Sequence, residues 1–134
     1  MMAEFPADLG SIARDILHAG DDDIPRFLGF FTDGTTFRMA NNEPVVGVDA
    51  IQGFLTDYLK PVLGTSHEIH RTWQAGDTVV LHVTVTYRLT GGRRATLPAM
   101  TQMRLADGKL TEYLIFMDPT PVTNTSASPR RSCR

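Results

Sequence analysis

Hydrophobic residues in the first half of the chain recur at the spacing of one helix face. The apolar positions of the first such segment are Leu9, Ile12, Ala13, Ile16 and Leu17. This pattern predicts a helix that ends at Gly20. A second short helix is predicted after the aspartates 21–23, because a carboxylate can cap its first turn and Pro25 fits its start. The apolar face of a third predicted helix consists of Ile51, Phe54, Leu55, Tyr58, Leu59 and Val62.

The second half of the chain alternates apolar and polar residues with the period of two that is typical of strands. The predicted strands cover 67–74, 78–89 and 94–105, and a last strand runs through Tyr113. Glycine-containing turns separate them, and the turn at 106–109 predicts a hairpin. Two brief strands are predicted earlier, at 35–39 and 45–47. Helices followed by an antiparallel meander indicate an α+β protein.

The length and the net charge of the chain limit its domain organisation and its classes of binding partner. The 134 residues predict one domain over 1–122, followed by a disordered tail over 123–134 that is rich in Thr, Ser, Pro and Arg. A net charge of −2 gives no reason to expect nucleic acid or an anionic membrane as a partner. We see no signal peptide and no apolar run near the roughly 20 residues of a membrane span. A cytoplasmic location is therefore expected.

Metal and cofactor sites are not predicted. The three aspartates at 21–23 are interpreted as helix-capping residues rather than as metal ligands. His67 and His70 are separated by an odd number of positions, which places them on opposite faces of a strand. No cofactor motif is present, and the lone Cys133 has no partner for a disulfide within the chain.

The order of elements and three local motifs resemble the nuclear-transport-factor-2-like superfamily. The motifs are the Phe-Phe-Thr-Asp-Gly segment at 30–34, the Gly-Val-Asp-Ala-Ile segment at 47–51 and the hairpin at 107–121. Within the superfamily, the chain is most similar to the SnoaL-like group, whose relatives include polyketide cyclases, ketosteroid isomerases and limonene-epoxide hydrolases. The resemblance covers about residues 5–122. It implies a cone: a strongly curved, mostly antiparallel sheet wrapped by three helices around an apolar pocket.

The catalytic carboxylates of these relatives have no counterpart here. Aligned on the shared motifs, the base and the acidic donor of ketosteroid isomerases fall on Met39 and Thr101. The catalytic positions of limonene-epoxide hydrolases fall on His82, Thr84 and Ile115. A thioether or a hydroxyl cannot replace a carboxylate as a base, so neither activity is expected.

The strand at 79–89 can be oriented in two ways. Its odd positions are apolar, and periodicity alone sends them to the core. The family resemblance instead sends the even positions, with His82 and Thr84, into the cavity. The even positions can line the cavity while the odd positions are also buried if a second copy of the chain covers the odd positions. On this interpretation the chain forms a homodimer through an outer sheet face that carries Val83, Val85 and Tyr87.

The resulting hypothesis is a pocket for a small, mostly apolar molecule with one or two oxygen atoms. His82 would move a proton, and Thr84 and Thr101 would stabilise an oxygen anion; His67, near the mouth, is a weaker candidate. The predicted lining is Phe37, Met39, Phe54, Leu55, Tyr58, Met103, Tyr113, Ile115 and Met117. An isomerase, cyclase or hydratase and a non-catalytic binding or dimerisation module of the same fold both remain open, as does a solidly packed core.

Overall fold

Four helices and six strands make up residues 8–123, the part of the chain that the computed structural model describes. The helices are α1 (Leu9–Asp22), α2 (Ile24–Leu28), α3 (Val48–Tyr58) and α4 (Thr120–Thr123). The strands are β1 (Thr36–Met39), β2 (Val45–Val46), β3 (Val62–Ala75), β4 (Thr78–Leu89), β5 (Arg94–Ala106) and β6 (Lys109–Phe116). The predicted α+β class is confirmed. The predicted tail beyond 123 lies outside the described residues.

The first helix ends later than its pattern predicts. Asp8 caps α1 by accepting a hydrogen bond from Ser11 N (3.1 Å), and the helix continues through Gly20 to Asp22. A Cβ at position 20 would lie 3.3 Å from the ring of Phe27. Gly20 therefore allows close packing inside the helix rather than ending it. Asp23 caps α2 through Arg26 N (3.1 Å), with Pro25 in its first turn.

The sheet has the strand order β2-β1-β6-β5-β4-β3. Strands β3 to β6 form an antiparallel meander, and β1 lies parallel to β6, with Phe37 opposite Tyr113. The β5–β6 hairpin turns at Asp107 and Gly108, which both have positive φ (53° and 77°), as a tight hairpin turn requires. Through this parallel pairing, β1 connects the helical half of the chain to the last strand, and β2 and β3 form the two edges of the sheet.

A β-bulge divides β3 into two segments, and the alternation of inward-facing and outward-facing residues shifts by one position between them. The register shifts between Ile69 and Arg71, so one extra residue enters β3 at this point. Before the bulge, His67 points inward, where it contacts α1. Beyond it, Thr72 takes the inward position and reaches Gly10 of α1. His70 lies on the outer face, so the prediction that His67 and His70 lie on opposite faces is confirmed.

The inner face of β4 carries its odd positions, as periodicity alone predicts. All six odd residues from Val79 to Leu89 are at most 5% exposed, whereas the even positions are partly or fully exposed. The choice of the even set for the cavity is therefore wrong. Because the helices pack on the apolar side of the sheet, Val83, Val85 and Tyr87 face the core and cannot form an outer dimer interface.

Two apolar clusters fill the space between the helices and the sheet. The larger one joins α1, α2 and α3 to the sheet, with Ile16, Ile51 and Leu81 fully buried. The smaller one lies at the other end of the inner face, where Val122 of α4 is fully buried against Leu89 and its neighbours. None of the helices within 8–123 combines the length and apolarity needed to cross a membrane.

A buried hydroxyl ties the segment before β1 to the β5–β6 hairpin. Thr35 is fully buried, and its Oγ1 donates to Leu110 O (2.5 Å) and accepts from Thr32 N (2.8 Å). We expect Thr35→Val to lower the free energy of unfolding by about 1–3 kcal/mol, because it leaves buried polar groups without partners. Urea denaturation measures this. Thr96→Val, on the exposed outer face, should change stability by less than about 0.5 kcal/mol; equal losses would contradict the assignment.

Candidate functional site

A cavity of about 90 Å³ lies between the inner face of the sheet and helices α1, α2 and α3. Most of its lining is apolar, and includes Leu17, Phe27 and Leu55. The residues of the lining that carry polar groups are Thr65 and His67 on β3 and three tyrosines, Tyr58, Tyr87 and Tyr113. Apolar walls with a few polar groups are also the composition that is typical of small-molecule sites.

The structure separates the predicted pocket residues into two groups. Those that line the cavity are Phe37, Met39, Leu55, Tyr58, Tyr113 and Ile115. The other three, Phe54, Met103 and Met117, belong to the surrounding core: Met103 is fully buried, and the ring of Phe54 stacks on that of Tyr58 at 6.0 Å. Ligand binding by any of them stays a prediction.

The three predicted catalytic residues do not meet. His82 and Thr84 lie on the outer face of the sheet, where Thr84 Oγ1 is 2.7 Å from His70 Nε2 and the rings of His70 and His82 are 5.0 Å apart. Thr101 is buried on the inner face but is not part of the cavity lining. The prediction failed because it placed the polar positions of β4 inside, while burial of its apolar positions fixes the opposite orientation.

A carboxylate–imidazole pair that was not predicted lies at the cavity wall. Asp21 is in the last turn of α1, and His67 is on the inner face of β3. Asp21 Oδ1 is 2.8 Å from His67 Nδ1 and accepts from Thr65 Oγ1 at 2.6 Å, while Oδ2 accepts from His67 N at 2.9 Å. The two side chains are only 8% and 19% exposed.

These contacts fix the role of each nitrogen of the imidazole. A carboxylate can only accept, so His67 Nδ1 carries a proton. In the neutral ring, Nε2 then has a free lone pair, and it has no hydrogen-bond partner within residues 8–123. An imidazole held in one tautomer at a cavity wall is suited to take up and release a proton.

Asp21 is held in its ionised form. Burial is the largest single influence on its pKa and raises it. The hydrogen bonds from His67 and Thr65, together with the charge interaction with His67, outweigh burial and hold the pKa of Asp21 below its usual value. The carboxylate is therefore negative at neutral pH and can stabilise a positive imidazolium.

The three tyrosines of the lining keep their hydroxyl protons at neutral pH. Tyr58 and Tyr87 hydroxyls are 3.1 Å apart, and burial raises the pKa of both side chains. Burial also raises the pKa of Tyr113, followed by the effect of the negative charge on Asp21. Tyr113 is 3% exposed, and its hydroxyl has no hydrogen-bond partner among residues 8–123. Such a buried hydroxyl is suited to a water molecule or a ligand atom.

One sequence signal could have pointed to Asp21. Negative side chains are disfavoured at the C-terminal end of a helix, where the dipole is negative. The placement of Asp21 is unusual only because α1 continues past Gly20. The interpretation of residues 21–23 as caps assumed that the helix had already ended, so it did not reveal this placement. That interpretation is correct for Asp23 alone.

The fold and the cavity define the class of the protein. A curved six-stranded sheet with helices on its inner face is the cone fold of the nuclear-transport-factor-2-like proteins. Residues 14–113 match the family model of the SnoaL-like domain, and the chain therefore belongs to that family. The expected family and fold are confirmed. No sequence among curated proteins matches the chain.

Solved structures share this fold at low sequence identity. A Jannaschia sp. CCS1 protein, assigned by similarity to the SnoaL-like polyketide cyclases, is 19% identical with a TM-score of 0.79, covering 97% of this chain and all of its own. A Catenulispora acidiphila protein with a ketosteroid isomerase-like fold, in complex with trimethylamine, is 18% identical (TM-score 0.74; 88% and 93% covered). An M. tuberculosis epoxide hydrolase of the limonene-epoxide hydrolase-like type is 16% identical (TM-score 0.71; 85% of each).

The Asp21 hydrogen bonds predict a pH dependence of stability. The pKa of Asp21 is lower in the folded chain than its ordinary value of 3.8, so the ionised carboxylate stabilises the fold above that pH. This contribution is lost as the pH falls through the folded-state pKa. At pH 7, Asp21→Asn should lower the free energy of unfolding by about 1–3 kcal/mol.

Urea denaturation between pH 7 and pH 2.5 tests this contribution. The gap between the wild type and Asp21→Asn should narrow towards the acid end. Asp22→Asn, at the exposed neighbouring position, is the matched control and should follow the wild type throughout. A gap that stays constant with pH would show that the carboxylate charge is not responsible.

Proposed function

We propose that the protein is a cofactor-independent acid–base catalyst of the isomerase or cyclase type. Its substrate is a small, mostly apolar molecule with a carbonyl oxygen, bound in the cavity. One observation carries the proposal: the buried Asp21–His67 pair lies at a cavity wall, and Nε2 of His67 has no hydrogen-bond partner within residues 8–123.

In the proposed reaction, His67 acts first as the general base and then as the general acid. Nε2 removes a proton from the carbon next to the carbonyl. The electron pair of that C–H bond forms a carbon–carbon double bond, and the π pair of the carbonyl moves to its oxygen to give an enolate. Asp21 stabilises the imidazolium that forms, since it already accepts from Nδ1. In a substrate whose enolate is conjugated to a further C=C bond, return of the proton to the far carbon of that bond completes an isomerisation and regenerates the neutral imidazole.

The tyrosines stabilise the charge that develops on oxygen. Hydroxyl donors in a water-poor site are most effective when they point to an atom that becomes negative in the transition state. Tyr113 has a buried hydroxyl without a partner among the described residues, and the Tyr58–Tyr87 pair is close to the same cavity. Because their pKa values are raised, these groups keep their protons.

The family supports this class of function without naming the reaction. The structurally similar proteins include one assigned to the polyketide cyclases, one with an isomerase-like fold and one epoxide hydrolase. Two of these names refer to a reaction of a small molecule, and the third refers to a fold and to a complex with trimethylamine.

Hydrogen–deuterium exchange tests the proton transfer. In D₂O, the wild type should accelerate exchange of the C–H hydrogens next to the carbonyl of 2-butanone, followed by ¹H NMR. His67→Asn places an amide N–H near the position of Nδ1, which preserves a donor to Asp21, but it lacks Nε2. Its rate should fall by about 100-fold or more.

His82→Asn is the matched control, because His82 lies on the opposite face of the sheet. It should leave the exchange rate unchanged. Full exchange in His67→Asn, or loss of exchange in His82→Asn, would refute the assignment.

A non-catalytic binding module is the second candidate function. It is favoured by the absence of carboxylates at Met39, Thr101 and Ile115, where the catalytic sets of the better-known relatives align. Binding of 2-butanone without faster exchange than in buffer would support this candidate.

We also propose that the chain forms a homodimer through the outer face of the sheet, with a different set of residues than the sequence predicts. Trp73, Met100 and Phe116 are 44%, 37% and 55% exposed, and Met100 lies opposite Phe116 on adjacent strands. Exposed apolar groups of this kind favour association.

Sedimentation analysis tests this interface. A double variant, Met100→Ser with Phe116→Ser, should shift the protein from dimer to monomer. The control is Leu63→Ser, at an exposed apolar position near the start of β3, which should remain dimeric. A wild-type protein that is monomeric at micromolar concentration would rule out the dimer.

A further inference from the structure

We infer that the ligand is an uncharged methyl ketone, or a similarly compact carbonyl compound, with an apolar tail. Only its carbonyl head enters the cavity, and the tail leaves between Ile24 of α2 and Leu59 of α3. This inference rests on the proposed function to the extent that both assign the ligand to the same cavity. It adds a limit on size, charge and shape.

The size of the cavity limits the head. Its volume is about 90 Å³, whereas a cavity of about 150 Å³ in another protein holds one benzene molecule. By proportion, it accommodates about four non-hydrogen atoms. The CH₃–C(=O)–CH₂ end of a methyl ketone has this number, and a fused-ring molecule does not fit.

Two tyrosine side chains set this limit on the size of the carbonyl head. Tyr87 lines the cavity and also belongs to the smaller apolar cluster, and Tyr58 packs against both clusters. Their hydroxyl contact at 3.1 Å therefore lies between the cavity and the rest of the inner face. Beyond it, Val122 of α4 and Leu97 fill the space that a larger ligand would need.

The charges around the cavity exclude an anionic head. No lysine or arginine is among the described residues that line it, and the nearest full charge is the buried Asp21 carboxylate behind Thr65 and His67. A carboxylate or phosphate would be placed near a like charge without a counter-ion, which is costly in a buried site.

A carbonyl oxygen fits better than an ammonium group. The oxygens of Asp21 are engaged by three hydrogen bonds from Thr65 and His67, while the Tyr113 hydroxyl lacks an acceptor among residues 8–123. The cavity therefore offers an unused donor, and a neutral acceptor complements it.

The mouth of the cavity determines the tail. Ile24 is the most exposed residue of the lining, at 41%, and Leu55 and Leu59 of α3 are partly exposed. Three aliphatic side chains at the point where the cavity meets solvent favour an alkyl chain over a polar one.

A ligand panel tests the inference on the full chain. Binding of 2-octanone, octanoate, octylammonium and 1-tetralone is measured by protein-observed NMR titration at pH 7.5. We expect 2-octanone to bind at least ten-fold more tightly than each of the others. Equal or tighter binding of octanoate, octylammonium or 1-tetralone would overturn the inference.

Two variants connect the panel to individual side chains. Tyr113→Phe keeps the ring and removes the hydroxyl donor. It should therefore lower the affinity for 2-octanone at least five-fold, while the midpoint of thermal unfolding stays the same or rises. Leu59→Ala should widen the mouth of the cavity and raise the affinity for 1-tetralone relative to that for 2-octanone. Unchanged affinity of 2-octanone in Tyr113→Phe would refute the role of the hydroxyl.

The outcome is separable from that of the proposed function. If His67→Asn retains the same order of affinities while wild-type protein shows no exchange of 2-butanone, the ligand class holds and the catalytic proposal fails. If exchange depends on His67 but 1-tetralone binds as well as 2-octanone, the catalytic proposal holds and this inference fails.

Discussion

The three hydrogen bonds to the Asp21 carboxylate connect the two halves of this fold. They join the last turn of α1 to Thr65 and His67 on β3, so the helical segment is fixed against the long strands at one point. The same contacts orient the imidazole and keep the carboxylate ionised. A stabilising interaction and a candidate catalytic arrangement are therefore the same set of atoms, and the cavity beside it is lined by Leu17 and Gly20 of the same helix.

Much of the architecture could be predicted from the sequence. Period-two alternation located β4 and β5, and the Asp107–Gly108 turn located the hairpin between β5 and β6. The ends of the helices were less predictable, because Gly20 is helical for a reason of packing that involves Phe27. The inward face of β4 was predicted correctly by its own apolar pattern and incorrectly by analogy with the family. Burial of six apolar side chains outweighs any preference for a polar cavity wall.

The candidate site was less accessible to sequence reasoning. Six of the predicted pocket residues do line the cavity, since their apolar positions face the core in any version of this fold. Asp21 and His67 are 46 positions apart, and nothing local in either segment indicates the other. Only the tertiary packing of α1 on β3 reveals the pair. Met39, Thr101 and Ile115 occupy the positions where the family resemblance leads us to expect carboxylates, while the candidate acid–base groups of this chain lie on α1 and β3.

The bulge at His70 gives β3 two independent halves. If His70 were paired regularly instead of bulged, Arg71 rather than Thr72 would take the inward position opposite Leu81, beside Gly10 of α1. The insertion thus lets the distal half of the strand keep a small side chain under the start of the helix while the proximal half presents Thr65 and His67 to its end. Each half of the strand therefore holds one end of α1, so substitutions in the two halves would loosen different ends of the helix.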